Sequence, residues 1–377
     1  MLPDDRPDAW AEIDTGAVES NARLLVDAVA PAALCAVVKA GGYGHGAVPA
    51  AEAALRGGAS WLGVALVAEA AELRAQVAAP ILLLAEPPHA QMPDVVELGG
   101  VRATVYSPEA IVAAITAVQS SGRTDRLPVH LKVDTGMHRV GAAPDAVPQL
   151  AQLIAESDAL ELEGFWTHLA VADEPDDGGY TARQLARFEE CLATLHELGI
   201  HPPIVHAANS AGALAHPDAR YDLVRCGIAL YGIAPAPGLA GSDVLAPAMA
   251  VKSRVTFVKR LDAGERISYG LHHRFDRATT VATVAIGYND GVPRSLGLNG
   301  GEVLIGGRRR RLVGVVTMDQ LMVDCGDGEV QPGDEVVLLG DQGDATITAW
   351  EWAHKTGTIA YEIVCGLGAD RLPRRYV

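Results

Sequence analysis

Apolar runs of strand length alternate with amphipathic or alanine-rich segments of helix length between Trp10 and about Tyr231. This alternation is typical of βαβ units, whose parallel strands are buried on both faces and form continuous apolar runs. Eight such runs in one region favour a closed (β/α)8 barrel of the TIM type, and an open doubly wound sheet is the alternative. The predicted strands are Ala33–Val38, Trp61–Leu66, Ile81–Leu84, Arg102–Tyr106, Val129–Val133, Leu162–Thr167, Ile204–Ala207 and Leu223–Cys226.

The segments between these runs predict the helices that connect the strands. A helix over Val18–Val29 precedes the first strand, with Thr15 as a candidate N-cap. Met92–Leu98 is too short for the pattern to decide whether it forms a helix. The connecting helices are predicted at Ala47–Arg56, Ala68–Val77, Ser107–Ser120, Ala146–Glu156, Ala182–Leu198 and Ser210–Leu214.

The composition changes near Ala234–Pro247, where proline and glycine accumulate as they do in linkers. Beyond this stretch strand patterns separated by turns dominate, with one late helix near Ala349–Thr356. We therefore predict an α/β chain of two domains. An N-terminal (β/α)8 barrel would span residues 1–240, and a mostly-β domain would span residues 241–377.

The 377-residue chain carries a net charge of -17. This charge argues against nucleic acid or an anionic membrane as a partner, because the chain would repel phosphate. The five cysteines are odd in number and widely spaced, so they indicate no disulfide framework and no zinc site, and we predict no metal. Neither a signal peptide nor a membrane-spanning apolar run is visible, which predicts a cytoplasmic location.

The first predicted strand ends in a single charge, Lys39, followed by a glycine-rich loop that contains Tyr43 and His45. A lysine on rigid strand backbone beside a loop that can hold a phosphate suits Schiff-base chemistry. A solvated lysine at a strand end, next to a flexible turn, is the plain alternative. The loop and lysine alone do not decide between them.

Polar side chains and glycines also follow other predicted strands, and the carboxyl ends of barrel strands form the functional face of the fold. Taken singly they have ordinary explanations, since Asn209 or Ser210 could cap a helix and Arg225 could form a salt bridge. Their coincidence at several strand ends favours a site. The segments are Lys132–Arg139, Thr167–His168, His206–Ser210 and Arg225–Ile228.

Motifs at these positions and in the C-terminal part resemble those of the alanine racemase family, in order, over nearly the whole chain. The resemblance implies a fold-type III pyridoxal 5'-phosphate (PLP) isomerase that interconverts L- and D-alanine, a peptidoglycan precursor. It also implies a head-to-tail homodimer with composite active sites. The motifs are Ala36-Val37-Val38-Lys39 with Tyr43-Gly44-His45-Gly46, Lys132-Val-Asp-Thr-Gly-Met-x-Arg139, His206-x-Ala-Asn209-Ser210, Val224-Arg225-x-Gly227-Ile228, Ile267-Ser268-Tyr269-Gly270, Gly287-Tyr288-x-Asp290-Gly291, Met318-Asp319-Gln320 and Thr358-Ile359-x-Tyr361-Glu362.

The resemblance implies a two-base mechanism, because inverting an α-carbon requires proton removal on one face and proton return on the other. Lys39 would carry PLP and act on the D antipode, and Tyr269 of the partner subunit would act on the L antipode. A phenol is a weak base near neutral pH, so its neighbours must favour the ionised form. His168, linked to Arg225, matches that neighbour. Without the resemblance, Tyr269 reads as a strand aromatic with a surface hydroxyl.

The same resemblance implies roles for the other matched residues. Arg225 would face the pyridine nitrogen, where a guanidinium that stays protonated keeps the ring nitrogen neutral and suppresses transamination. Arg139 would contact the cofactor phenolate and the substrate carboxylate, and Lys132 matches a position often carbamylated. The Met318 main-chain N–H would contact the substrate carboxylate. The other cofactor-binding positions are Tyr43, Asn209, Ser210, Gly227, Ile228 and Tyr361, and the entrance positions are Asp173 and Tyr288.

The chain departs from the family pattern at four places. Gly41-Gly42 stands where Asn-Ala is usual, and His138 stands where glycine is common. Val315 replaces an arginine of the substrate entrance, and Arg274 is a candidate for restoring that charge, so a rebuilt entrance is expected.

The alternatives to an alanine racemase are a racemase for serine or a broader range of amino acids, a PLP-dependent decarboxylase on the same plan, and a non-catalytic PLP-binding protein.

Overall fold

The computed structural model describes residues 8–368 and 372–377, which pack into two compact units. One unit contains Val18–Gly42 and Ala47–Ala246. The other contains the described residues up to Ala17, the segment Tyr43–Gly46, and the described residues from Pro247 to Val377. Two short segments of the N-terminal half thus pack with the C-terminal residues. The predicted boundary between residues 240 and 241 stays a prediction.

The first unit is built on eight parallel strands among its described residues. The first and eighth strands pair in register, with Ala33 opposite Leu223. The seventh and eighth strands are joined by main-chain hydrogen bonds from Asp222 N to Val205 O and from Arg225 N to Ala208 O, both 3.0 Å. The sheet therefore closes, which confirms the barrel and rejects the open sheet. The strands are Ala33–Val37, Trp61–Val64, Ile81–Leu83, Val101–Val105, Leu127–Lys132, Leu160–Trp166, Ile204–His206 and Leu223–Cys226.

Helices connect these strands, and the buried residues of Ala47–Arg56 are all alanines. The predicted N-cap of the helix before the first strand was wrong by one residue: Asp14 Oδ1, not Thr15, accepts from Ala17 N at 2.8 Å. The short segment Met92–Leu98, which the pattern left undecided, is a helix. The helices in this part of the chain are Thr15–Val29, Ala47–Arg56, Val67–Arg74, Met92–Leu98, Pro108–Ser121, Val147–Ala155, Tyr180–Glu197 and Ser210–Ala215.

The second unit is mostly β, as predicted, and its main sheet is largely antiparallel. The predicted late helix is present at Ala349–Thr356, and a second helix that was not predicted follows at Ala360–Gly366. Ala9–Ile13 joins this sheet by pairing with Met249–Leu261 and with Arg374–Tyr376. In the described part of the chain, no helix is long and apolar enough to cross a membrane. The remaining strands are Arg266–Ile267, His273–Arg274, Thr279–Val284, Glu302–Ile305, Arg308–Leu312, Leu321–Gly326, Glu335–Gln342 and Ala345–Ile347.

Candidate functional site

Lys39 lies directly after the first barrel strand, where the chain enters a left-handed turn. Ala40, Gly41 and Gly42 have φ of 54°, 61° and 64°, a conformation that glycine adopts without steric cost. The turn is held by hydrogen bonds from Gly42 N to Val38 O at 2.8 Å and from Ala40 N to a Glu69 carboxylate oxygen at 2.6 Å. The Gly41-Gly42 departure therefore matches the backbone that this turn requires.

The rest of the glycine-rich segment packs within the second unit. A Cβ on Gly44 would lie 2.4 Å from Val364 O, and one on Gly46 would lie 2.2 Å from the Tyr376 hydroxyl. These glycines allow close packing of the loop on its own unit, rather than simply leaving room for a ligand. The ring of Tyr43 lies 6.3 Å from that of Tyr361, so two tyrosines predicted to bind phosphate are neighbours.

Cationic side chains from several strand ends gather in the barrel unit around Lys132, which is 3% exposed. Burial, followed by the positive charges of Arg225 and Arg139, lowers the pKa of Lys132 to about 7. Burial and the same kind of cationic surroundings hold the pKa of His168 well below its usual value. The strand ends therefore bring Lys132 and His168 close to the positive charges of Arg225 and Arg139 in a chain of net charge -17, and such surroundings suit an anionic ligand.

The loop that carries Arg139 is shaped by Asp134, whose Oδ1 accepts from Gly136 N at 2.9 Å and His138 N at 3.0 Å. His138 has φ of 56°, in the left-handed region, which explains why glycine suits this position. The exposed His138 ring lies 3.4 Å from the Asp134 carboxylate, and this contact compensates part of the backbone cost. The Arg139 side chain itself is exposed at the rim.

Arg225 lies in the barrel interior at the end of the eighth strand and is 3% exposed. Its Nη2 donates to the carbonyls of Thr167 and Ala207, both at 2.9 Å, and lies 3.4 Å from His168 Nδ1. Its Nη1 donates to His206 Nδ1 at 2.8 Å. Burial lowers the pKa of Arg225 to about 10, so the side chain stays protonated at neutral pH.

The remaining positions of the barrel unit that were predicted to bind the cofactor meet at the start of the helix Ser210–Ala215. Ser210 Oγ accepts from Gly227 N at 2.9 Å and lies 3.5 Å from Ala229 N, so it ties this helix to the end of the eighth strand. Asn209 caps the helix by accepting from Gly212 N at 3.0 Å. The cap explanation for Asn209 is therefore correct. It is compatible with a ligand nearby, because the cap fixes the loop.

Tyr269 belongs to an exposed, strained turn of the second unit and is 74% exposed. Ser268 and Leu271, on either side, have φ of 65° and 48°, unusual for residues other than glycine. Ser268 Oγ donates to Val315 O at 3.1 Å and holds the turn. Tyr269 is thus not a strand aromatic, and strain of this kind is a feature of functional positions.

The other predicted residues of this unit form a second exposed cluster. The carbonyl of Met318 accepts from Asn289 N at 3.0 Å, and Tyr288 N donates to Thr317 O at 2.9 Å. Among the described residues, no hydrogen bond uses the Met318 N–H. Met318 and Tyr288 are therefore brought together.

Val315 is only 2% exposed, so the residue at the arginine position is part of the core. Asp173 lies in a turn of the barrel unit.

Sequence reasoning missed the residues that brace the site from behind. Gln184, fully buried in the helix Tyr180–Glu197, donates to His168 O at 3.1 Å and accepts from Ala170 N at 2.9 Å. On the same helix, Tyr180 donates to Gly136 O at 2.8 Å, and Arg187 donates to Thr135 O at 3.1 Å. Their spacing of three and four residues on one helix face was the available signal.

The fold and the site together define a two-domain protein of the α/β-barrel class, with a lysine at the end of the first strand and a cationic pocket at the others. The alanine racemase N-terminal domain matches residues 13–235, and the alanine racemase C-terminal domain matches residues 248–376. An alanine racemase of Symbiobacterium thermophilum is 50% identical over 97% of this chain and 96% of its own length. One of Thermobifida fusca is 45% identical over 98% of each chain.

Solved structures agree. The alanine racemase from D-cycloserine producing Streptomyces lavendulae superposes with a TM-score of 0.92 at 39% identity, covering 99% of this chain and 98% of the other. That from E. faecalis gives 0.92 at 40% identity over the whole of both chains. This chain belongs to the alanine racemase family.

Proposed function

We propose that this chain racemises alanine with PLP as its cofactor. The observation that carries the proposal is the set of cationic side chains at the barrel strand ends, grouped around Arg225 and Lys132. Among residues 8–368 and 372–377, no carboxylate forms an ion pair with Arg225. A buried guanidinium without a carboxylate suits a neutral nitrogen acceptor and leaves the local positive charge available to anionic groups.

The donor chemistry fits PLP. When bound, PLP supplies the electron sink that stabilises negative charge at the α-carbon. Lys39 would provide the amine that holds it, Arg225 would donate to the pyridine nitrogen, and Arg139 would donate to the phenolate oxygen. The phosphate would take hydroxyl and main-chain donors, which suit an anion. These donors are Tyr43, Ser210, Gly227, Ile228 and Tyr361, with Asn209 fixing the loop through its cap.

Two side chains would move the α-proton. The Lys39 amine would take or return it on one face, and the phenol of Tyr269 of the partner subunit would serve the other, which makes the active unit a homodimer. His168 supports this assignment because its lowered pKa keeps the ring neutral and able to accept a hydrogen bond. The strained, exposed turn of Tyr269 supports it as well.

Substrate placement would use the donors that remain. Arg139 and the Met318 N–H would bind the carboxylate of alanine. Tyr288 and Asp173 would line the entrance. Lys132 would carry a carbamate that orients Arg139, which is supported by its burial and by the nearby positive charge of Arg139 and Arg225.

Proton NMR with chiral analysis, on the protein supplied with PLP and L-alanine in D2O, tests the proposal. D-alanine labelled with deuterium at Cα is expected. Lys39→Ala should lose this activity, and the exposed lysine variant Lys259→Ala should retain it. If parallel reactions with L-serine give labelled D-serine while L-alanine gives no D-alanine, serine rather than alanine is the substrate. The absence of any Cα exchange with alanine, serine, lysine and arginine would contradict racemase activity and leave a non-catalytic PLP-binding protein.

A further inference from the structure

An unbroken line of hydrogen-bonded polar side chains connects Arg225 to the carboxylate of Glu163. His206 Nδ1 lies 2.8 Å from Arg225 Nη1, and His206 Nε2 lies 2.9 Å from His130 Nδ1. His130 Nε2 lies 3.0 Å from Glu163 Oε2. Arg102 then donates to both oxygens of Glu163, at 3.0 and 3.2 Å. Both histidine rings are fully buried.

The chemistry of the two ends allows only one arrangement of protons along this line. A guanidinium can only donate, so His206 Nδ1 must accept and His206 Nε2 must carry the proton. His206 therefore donates to His130 Nδ1, and His130 must carry its proton on Nε2. An ionised carboxylate can only accept, so Glu163 completes the line.

The charges agree with this arrangement. Burial would raise the pKa of Glu163, but hydrogen bonds from His130 and Arg102 lower it, so the carboxylate is ionised. Burial lowers the pKa of His130 and holds that of His206 well below its usual value, and the charge of Arg225 contributes to both. An imidazolium at His130 is incompatible with the line as well, because it would place an N–H against the His206 N–H.

The sequence builds a local irregularity to make room for the line. Val129 pairs with Leu162 but His130 pairs with Gly164, so Glu163 is the extra residue of a β-bulge. Bulges change the direction of a side chain, and here Glu163 meets His130. A Cβ on Gly164 would lie 2.2 Å from His130 Nδ1, so glycine is required beside the ring.

Aromatic rings hold the two histidines in place. The indole of Trp166 stacks on His206 with ring centres 5.3 Å apart, and Trp61 packs edge-on against His130 at 5.6 Å. The line is thus a rigid, fully paired network rather than a set of chance contacts, and buried networks of this kind depend on every member being satisfied.

We propose that Glu163 is a positioning residue that fixes the Nε2–H tautomers of His130 and His206 and thereby holds the Arg225 guanidinium in its orientation. The effect of this positioning on catalysis rests on the proposed function, since Arg225 is the residue assigned there to the pyridine nitrogen. Without an acceptor at Glu163, the His130 N–H would be buried and unpaired, and the whole line would rearrange.

Nitrogen NMR of protein labelled with 15N-histidine tests the tautomers directly, without cofactor and without turnover. Long-range proton–nitrogen spectra distinguish the two neutral tautomers from imidazolium, and single His→Gln variants assign the signals. At pH 7 both rings are expected in the Nε2–H form. An Nδ1–H form or an imidazolium at either ring of the wild-type protein overturns the proposal.

Variants then test the role of the carboxylate. Glu163→Ala should give mixed tautomers at His130, whereas Glu163→Gln retains an acceptor oxygen and should restore the single form. Glu161→Gln, an exposed glutamate on the same strand, should change nothing. With PLP bound, Glu163→Ala should shift the cofactor absorption band and lower kcat/KM for L-alanine about tenfold, with Glu163→Gln close to wild type.

The outcomes separate this proposal from the proposed function. If the wild type racemises alanine but Glu163→Ala leaves the tautomers and the absorption band unchanged, the positioning role is wrong and the racemase function stands. If the wild type racemises no substrate, the NMR of the cofactor-free protein still decides the tautomers. Should Glu163→Ala fail to fold, the wild-type and Glu163→Gln spectra carry the test, since loss of the single form in Glu163→Gln refutes the acceptor role.

Discussion

Lys132 is expected to bind carbon dioxide as a carbamate, because its environment lowers the pKa of the amine and so raises the neutral fraction that reacts. With a pKa of about 7, roughly nine tenths of the amine is neutral at pH 8, against about 0.3% for an ordinary lysine, an advantage of about 300-fold. The amine nitrogen forms a bond to the carbon of carbon dioxide, one proton leaves to solvent, and an anionic carbamate results. The neighbouring charges of Arg139 and Arg225, which disfavour an ammonium group, stabilise that anion.

Carbon NMR of the protein in 13C-bicarbonate provides the assay. One carbamate signal is expected, increasing between pH 6 and pH 8 as the amine loses its proton. Lys132→Ala should abolish the signal, and Lys259→Ala, which removes an exposed lysine, should preserve it. No carbamate signal at saturating bicarbonate up to pH 9 would refute the reasoning, as would a signal that survives in Lys132→Ala.

Three further predictions follow from the geometry. Tyr269→Phe should lower racemisation about a thousandfold, while Lys39 still exchanges the Cα proton of D-alanine with D2O. NMR measures the Cα exchange of each enantiomer separately, and an equal loss of exchange for L- and D-alanine would contradict the two-base assignment. Gly44→Ala should lower the free energy of unfolding by about 3 kcal/mol, because its Cβ would meet Val364 O, whereas Gly41→Ala, in open space, should cost only about 1 kcal/mol, both by urea denaturation. Lys132→Met in carbon dioxide-free buffer should raise the free energy of unfolding at pH 7 by about 4 kcal/mol. Unfolding of the wild type takes up protons between pH 7 and about 10.5, so the stability of the wild type rises with pH in this window and the stability advantage of the variant should vanish. An advantage that stays constant with pH would contradict the lowered pKa of Lys132.

The barrel could be predicted from the sequence because its strands are buried on both faces and carry few competing signals. The eight apolar runs and the alternating helices match the structure to within a few residues, as at Ala47–Arg56, where both ends agree. The fold follows from local pattern here, since each element carries its own apolar face.

Elements whose stability comes from distant partners could not be predicted in this way. Ala9–Ile13 is a strand because it lies between Met249–Leu261 and Arg374–Tyr376, which are far away in the chain. Tyr43–Gly46 reads as a loop of the barrel, yet Arg374 donates to Gly44 O at 2.9 Å and Val364 packs on the glycine. Local patterns contain no information about such pairings.

Much of the candidate site could be located because strand ends meet on one face of a barrel. The positions of Lys39, Lys132, Arg225 and His168 follow from that rule. Their protonation could not be predicted, because it depends on burial and on how close the cations lie to each other. Lys132 looks like any strand-end lysine in sequence, and its 3% exposure among other cations lowers the pKa of its amine to about 7.

Glu163 shows most sharply what periodicity cannot resolve. In the run Leu160–Gly164 the strict alternation of leucine and glutamate assigns Glu161 and Glu163 to the same solvent-facing side. The bulge opposite His130 separates them: Glu161 is exposed, whereas the Glu163 carboxylate accepts hydrogen bonds from His130 and Arg102. What makes the difference is Gly164, whose missing Cβ leaves space for the imidazole. Gly164→Ala should therefore displace His130 and reproduce the tautomer mixture of Glu163→Ala with the carboxylate still present, which would tie the line to its geometry rather than to the charge of Glu163 alone.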